Sequence, residues 1–214
     1  MRGRNLMKVF SMIVIATTLV LTGCGNEDTK KTDTEKQTKT VKEQDKKVKI
    51  ESNEGKPQHE QVITVKMPPE ADYINDETLE VYEQDLKKYN NTSQLITDNS
   101  ITVLLGNFCF YDPIWDVLKC SAILVNGTDT KIEALSFQSS VENKAMPEKT
   151  FSDDNISELT KVKTGDFLPN VGIPIILVFS DETSTTADDA AEPQKIDTKN
   201  ITIKLKNIQY KAVE

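Results

Sequence analysis

Between Ile101 and Val125 apolar residues recur with a period of two, broken once by Asp112-Pro113 and its neighbours. A period of two over two runs with one turn signal between them specifies a β-hairpin. With the turn at Asp112–Asp116, Cys109 falls opposite Cys120, Tyr111 opposite Leu118 and Leu105 opposite Leu124. Ile101, Val103, Leu105 and Cys109 then share one face with Leu118, Cys120, Ala122 and Leu124. Cross-strand neighbours lie ~4.5–5.5 Å apart at Cβ, close to the reach of a disulfide. Two readings are open: a Cys109–Cys120 disulfide, or two buried thiols acting as small hydrophobes. A redox role would need an exposed, electropositive thiol, and these surroundings are apolar.

The rest of the chain from residue 62 follows the same pattern. Val62–Met67 reads as a short strand stopped by Pro68-Pro69. A helix is predicted over 76–89, capped by Asp76 or Asn75, with Glu77 and Glu80 in its first turn and Lys87 and Lys88 in its last. Leu79, Tyr82, Leu86 and Tyr89 form its apolar stripe. Asn126-Gly127 reads as a tight turn supplying positive φ. Further strands are expected over 132–141, 172–179 (with Pro174 near its start or on an edge) and 201–210. Residues 143–170 read as irregular, with a helical turn near 156–159. Short strands separated by turn signals make the expected fold class mainly β: an immunoglobulin-like β-sandwich with one packed helix.

The amino terminus has a different character. Residues 1–8 hold Arg2, Arg4 and Lys8 and no acid, and residues 9–21 are almost wholly apolar. This is the basic and hydrophobic pattern of an export signal, and the run is shorter than the ~20 residues that span a bilayer. Leu21-Thr22-Gly23-Cys24 follows and resembles the processing motif of bacterial lipoproteins. That resemblance implies cleavage between Gly23 and Cys24 and a diacylglyceryl group on Cys24, giving the two acyl chains that stable anchoring needs. The expected address is the extracellular face of the cell membrane.

Residues 25–61 contain almost no apolar side chain, and they balance nine Lys against nine acids. Such a polyampholyte cannot offset its chain entropy by burial and is expected to be a disordered tether, spanning ~30–35 Å. His59, the only His, falls within it and reads as solvated. The whole chain has a net charge of −8; with Arg2, Arg4 and Lys8 removed by cleavage the rest carries −11, all of it in residues 62–214. The region beyond the signal contains no Arg, and hence no guanidinium fork for bidentate phosphate or carboxylate binding. Together with frequent Asn, Ile and Thr, this matches the usage of an AT-rich Gram-positive genome. An acidic domain is repelled by anionic headgroups and is a poor partner for nucleic acid.

No catalytic residues, cofactor or metal site are expected. The domain beyond 62 has no His for the usual triads or metal clusters, and no Gly-rich phosphate loop. The acidic pairs Asp153-Asp154, Asp181-Glu182 and Asp188-Asp189 lack the spacing of a calcium loop and read as solvated loop residues. Trp115, at the hairpin tip beside Tyr111 and Ile114, is either an exposed contact site or a cap on the end of the core.

Over about 76–180 the pattern is similar to the SLAP domains of Gram-positive bacteria, found in proteins of accessory Sec export and S-layer assembly. The likeness rests on Tyr82 and Leu86, Ile101–Leu105, Leu124-Val125-Asn126-Gly127-Thr128, Ile132, Leu135, Phe137, Phe151, Leu159, Leu168-Pro169, Pro174 and Val178-Phe179. It departs where that family tends to show Arg-Pro-Trp, since Ile173-Pro174-Ile175 stands here instead. The resemblance implies no catalytic residue. A weaker likeness is to the immunoglobulin-like domains of Gram-positive lipoproteins. The function expected is a non-catalytic binding or scaffolding module in envelope or S-layer assembly or export, its partner an envelope protein or wall polymer. The alternatives are a protective or immunity lipoprotein with one dedicated partner, or an enzyme acting on the wall.

Overall fold

The computed structural model describes residues 49–51, 55–152, 156–183 and 192–213. The export signal, Gly23, Cys24, most of the tether, Asp153-Asp154 and Asp188-Asp189 lie outside the described residues. The elements are β1 (Lys49–Glu51), β2 (Gln58–Val65), α1 (Asp76–Tyr89), β3 (Thr92–Thr97), β4 (Ile101–Asp112), β5 (Val117–Asn126), β6 (Lys131–Asn143), β7 (Ile156–Thr160), the single turn α2 (Lys161–Thr164), β8 (Val171–Ser180), β9 (Gln194–Lys195) and β10 (Ile201–Val213). They form a mainly β sandwich with one packed helix. One sheet runs β1-β10-β6-β7 and the other β3-β2-β8-β5-β4-β9.

Between the sheets lies the main core, in which Phe137, Phe167, Phe179, Leu118, Leu124 and Ile208 are almost fully enclosed. The outer face of the larger sheet carries a second core of Ile63, Val65, Ile96, Ile123 and Val125, closed by Tyr89 and Leu86 of α1. Both faces of β5 are thus covered, which accounts for its unbroken burial from Cys120 to Asn126. Helix α1 has the predicted bounds. Asn75 is its cap, accepting from the Thr78 N–H at 2.8 Å. Its buried face is Val81, Tyr82, Asp85 and Tyr89, so the stripe expected around Leu79 is rotated to take in a carboxylate.

The β4–β5 hairpin pairs Cys109 with Cys120 and Tyr111 with Leu118, as the turn position requires. The two cysteines form a disulfide, fully buried, with Cα atoms 4.1 Å apart. Leu105 does not face Leu124; it faces Ala122, and Val103 faces Leu124. The register shifts between Leu105 and Cys109, where β4 spends four steps against two on β5. An insertion of two residues preserves the side on which each chain's residues point, so the apolar face survives the shift intact. Helix α1 occupies the bulge. Asp85 Oδ1 accepts from Asn107 N at 2.7 Å, while Tyr89 Oη donates to Leu105 O at 2.5 Å and Lys88 Nζ donates to Leu105 O at 3.1 Å. Gly106 is required here, because a Cβ would lie 2.1 Å from Ser121 Oγ and 2.2 Å from Asp85 Oδ2.

Four expectations are corrected. The folded region begins before residue 62: β1 pairs with β10, and β2 starts at Gln58, so His59 lies in a strand opposite Ile96 and pairs with Asp98. Strand β3 replaces the expected gap after the helix. Residues 156–160 are extended, not helical, and pair along β6. Gly127 does not adopt positive φ; it is needed because a Cβ would stand 2.4 Å from Thr97 O. The left-handed turn positions are taken mostly by Asn91, Asn99, Asp116, Asn170 and Asn207, residue types whose short polar side chains tolerate that region.

Candidate binding surface

The β4–β5 turn projects Ile114 and Trp115 from one end of the sandwich, 41% and 74% exposed. That exposure rules out the reading of Trp115 as a cap on the end of the core. A bare turn would leave such a side chain mobile, yet this one is tied down at each joint. Asp112, itself buried, accepts from Ile114 N at 3.1 Å and Trp115 N at 3.4 Å through the same Oδ1. Asp116 closes the turn at φ 50°.

Side chains from three segments hold that strained position. Tyr111 Oη donates to Asp116 Oδ1 at 2.7 Å. Lys149 Nζ donates to Tyr111 Oη at 2.7 Å and to Asp181 Oδ2 at 2.6 Å, lying over the Tyr111 ring. Asp181 N donates in turn to Asp116 O at 2.8 Å. Phe151 packs edge-on against Tyr111. The Asp181 side chain is wholly buried, so the solvated-loop reading of the Asp181-Glu182 pair is corrected for Asp181, while Glu182 is exposed. Asp181 Oδ1 accepts from Thr183 N and Thr183 Oγ1, at 3.0 and 2.5 Å.

The charges in this brace support one another. Burial alone would raise the Asp181 pKa, but its hydrogen bonds to Lys149 and Thr183 hold it below the usual carboxylate range. Burial works to lower the pKa of Lys149, yet Asp181 and Tyr111 outweigh it and push it up to about 12. Burial raises the Tyr111 hydroxyl, with Asp116 adding to the effect and Lys149 opposing it. All three groups therefore keep a single protonation state across neutral pH. Chemically the site offers an aromatic and aliphatic knob on a rigid base; nothing in it places a nucleophile beside a base.

A cleft of about 340 Å³ opens where β7 and β8 meet α1, walled by Phe137, Leu159, Ile175 and Leu177, with Tyr82 donating to Glu70 at 3.3 Å on its rim. At the opposite end of the sandwich His59 and Asp98 share a shallow polar hollow with Asn99, Asp129 and Asn170. Among the described residues no group of three or more His, Cys, Asp or Glu could hold a metal ion, and no helix is long and apolar enough to cross a membrane.

The Trp115 knob was visible in the sequence as an aromatic at a hairpin tip. Lys149 and Asp181 were not, because Lys149 lies 38 residues from Tyr111 and Asp181 a further 32 beyond Lys149, in pairs that no local pattern marks. No protein-family model matches the chain, and no curated protein or solved structure matches it.

Proposed function

We propose that the protein is a non-catalytic binding module, anchored on the outer face of the cell membrane through lipidated Cys24. The observation that carries the binding half of this reading is the place of the Ile114–Trp115 tip. The chain enters the sandwich at the other end: Lys49 pairs with Tyr210, toward the end where Val213 meets Lys131, and Gln58 pairs with Thr97. Strand β5 alone separates that end from the tip by its ten residues, about 30 Å. The Ile114–Trp115 tip is thus clear of the segment through which the chain enters the sandwich. Large exposed aromatics on rigid supports are the side chains that anchor protein interfaces.

The Leu21-Thr22-Gly23-Cys24 sequence supports the anchor. The likeness to SLAP domains supports a role in envelope or S-layer assembly or in export, with a dedicated-partner immunity role as the second reading.

In a Gram-positive host, the full chain carrying a photoreactive phenylalanine analogue at Ile114 should form a covalent adduct with an envelope component. The same analogue at Tyr73, which is 89% exposed elsewhere on the surface, should not. Several envelope components captured at position 114 would favour scaffolding; one recurrent protein would favour the dedicated partner. A Cys24→Ala chain that stays in the membrane fraction, or an absence of adducts from position 114, overturns the proposal.

A further inference from the structure

We infer that the Ile114–Trp115 tip is a docking surface for a basic protein segment, and that Lys149 is its positioning residue. This rests on the binding-module reading and adds to it the chemistry of the partner. Three observations converge. First, the apolar knob is small, two residues wide; Asp112, Asp116 and Asp181 lie at its base, and exposed Glu148 and Glu182 adjoin Lys149 and Asp181 in sequence. Three cations lie nearby: Lys149 is spent on Tyr111 and Asp181, Lys119 lies 3.7 Å from Asp112 Oδ2 and over the Phe110 ring, and exposed Lys195 stands opposite Phe110 on β9, so the acids outnumber the cations by five to three. Second, the excess of negative charge extends over the whole region beyond residue 62, 25 acids against 14 Lys. A cationic partner is therefore drawn in from a distance and an anionic one is repelled. Third, the tip's backbone is fixed by the chain Lys149–Tyr111–Asp116, so the aromatic is presented without a backbone-ordering cost on binding. The same charge argues against a membrane surface or an anionic wall polymer as the occupant.

Lys149 does not touch the partner in this scheme. Its two hydrogen bonds hold Tyr111 and Asp181, and these hold Asp116, the residue that sets the angle at which Trp115 leaves the sheet.

The test is to pan a random peptide library, displayed on phage, against the full chain in detergent, and to measure affinities of synthesised binders. The expected binders are rich in Lys and Arg and weaken as salt is raised. Trp115→Ala should weaken them about 30-fold or more, the loss typical of a central aromatic anchor. Lys149→Met should weaken them about 10-fold while lowering the fluorescence anisotropy of Trp115, the only Trp in the chain; a purely structural role for Lys149 would leave that anisotropy unchanged below the unfolding temperature. Binders that are neutral or acidic, or that ignore Trp115→Ala, overturn the inference. So does Trp115-dependent uptake of wall polysaccharide or of anionic vesicles with no cationic peptide enriched. In each of these cases an adduct from Ile114 and release by Cys24→Ala would leave the anchored-module reading standing.

Discussion

Asp85 gives the sharpest test of the packing described above. It sits in the middle of α1 with no exposed surface, facing the β4 bulge. Oδ1 accepts from Asn107 N, but Oδ2 is buried without a hydrogen-bond partner, against Gly106 and beside Ser121 Oγ. Burial raises the pKa of this carboxyl; the adjacent Ser121 hydroxyl, whose placement does not complete a hydrogen bond to Oδ2, the Asn107 N–H and the charge of Lys88 pull the other way without cancelling it. A group whose folded-state pKa is raised stabilises the fold below its unfolded pKa, and that contribution is lost as pH rises through the folded value. Asp85→Asn keeps the Oδ1 acceptor, removes the buried charge and places an N–H₂ donor where Oδ2 stood, next to Ser121 Oγ. A buried polar atom without a partner costs about 1–3 kcal/mol, and the amide recovers part of it, so the variant should gain about 1–2 kcal/mol at pH 7. For a domain of this size that is a rise in Tm of roughly 2–8 °C. Scanning calorimetry of both chains from pH 3.5 to 8 should show the difference largest at neutral pH and vanishing toward pH 4. A variant that melts lower than wild type at pH 7, with the gap constant across pH, would refute the reasoning and mean that ionised Asp85 is stabilised by Lys88 beyond its burial cost.

Gly106→Ala should lower the urea midpoint by the equivalent of about 2–3 kcal/mol, since the added methyl overlaps Ser121 and Asp85 in a packed site; an unchanged midpoint would show that the bulge can open. Replacing both Cys109 and Cys120 by Ala should cost about 3 kcal/mol, the loop entropy of a separation of 11 residues, read from equilibrium urea unfolding against the oxidised chain. Asp181→Asn removes one partner of a largely buried ion pair and should cost about 3 kcal/mol at neutral pH. The depressed Asp181 pKa means its contribution is present above the usual 3.8 and lost as pH falls through the folded value. The Lys149 contribution is present below its usual 10.5 and lost as pH rises through about 12. Thermal melts should therefore show a flat difference between variant and wild type from about pH 5 to 10 that narrows as pH falls below the usual carboxylate range; a difference that widens in acid would refute the ion-pair account.

What could be read in the sequence was local. Helix α1 announced itself by its cap, its terminal charges and its apolar spacing, all within fourteen residues. The hairpin was legible because a turn and two alternating runs adjoin. Strand β3 was not, because Thr92–Thr97 sits on a sheet edge with one deeply buried aliphatic, Ile96, and its other, Leu95, 57% exposed. Strand β7 was mistaken for a helical turn for a similar reason: it alternates half-buried and exposed residues, and Ile156 points to solvent. The two-residue shift in β4 left no trace in the alternation, since an even insertion does not change sides. The helix stripe was misplaced because an acidic side chain at position 85 carries no apolar signal, and a carboxylate is buried here by virtue of the bulge that receives it. Of the candidate site, Trp115 was legible and its support was not, because every member of the brace outside the hairpin arrives through tertiary structure.

The disulfide and the brace lie on the same hairpin and act on different states of the chain, which makes their roles separable. A cross-link acts mainly by restricting the unfolded ensemble, and three residue pairs separate Cys109–Cys120 from the turn. The contacts of Lys149 exist only in the folded state and end directly at the turn. Loss of the disulfide should therefore lower global stability and leave the steady-state anisotropy of Trp115 fluorescence unchanged at temperatures well below the transition. Lys149→Met should lower that anisotropy under the same conditions, where the rest of the sandwich is intact by far-ultraviolet circular dichroism. If cutting the disulfide loosens Trp115 as much as Lys149→Met does, the tip is held by the hairpin's own rigidity, and a brace reaching in from residues 149 and 181 is not what positions it.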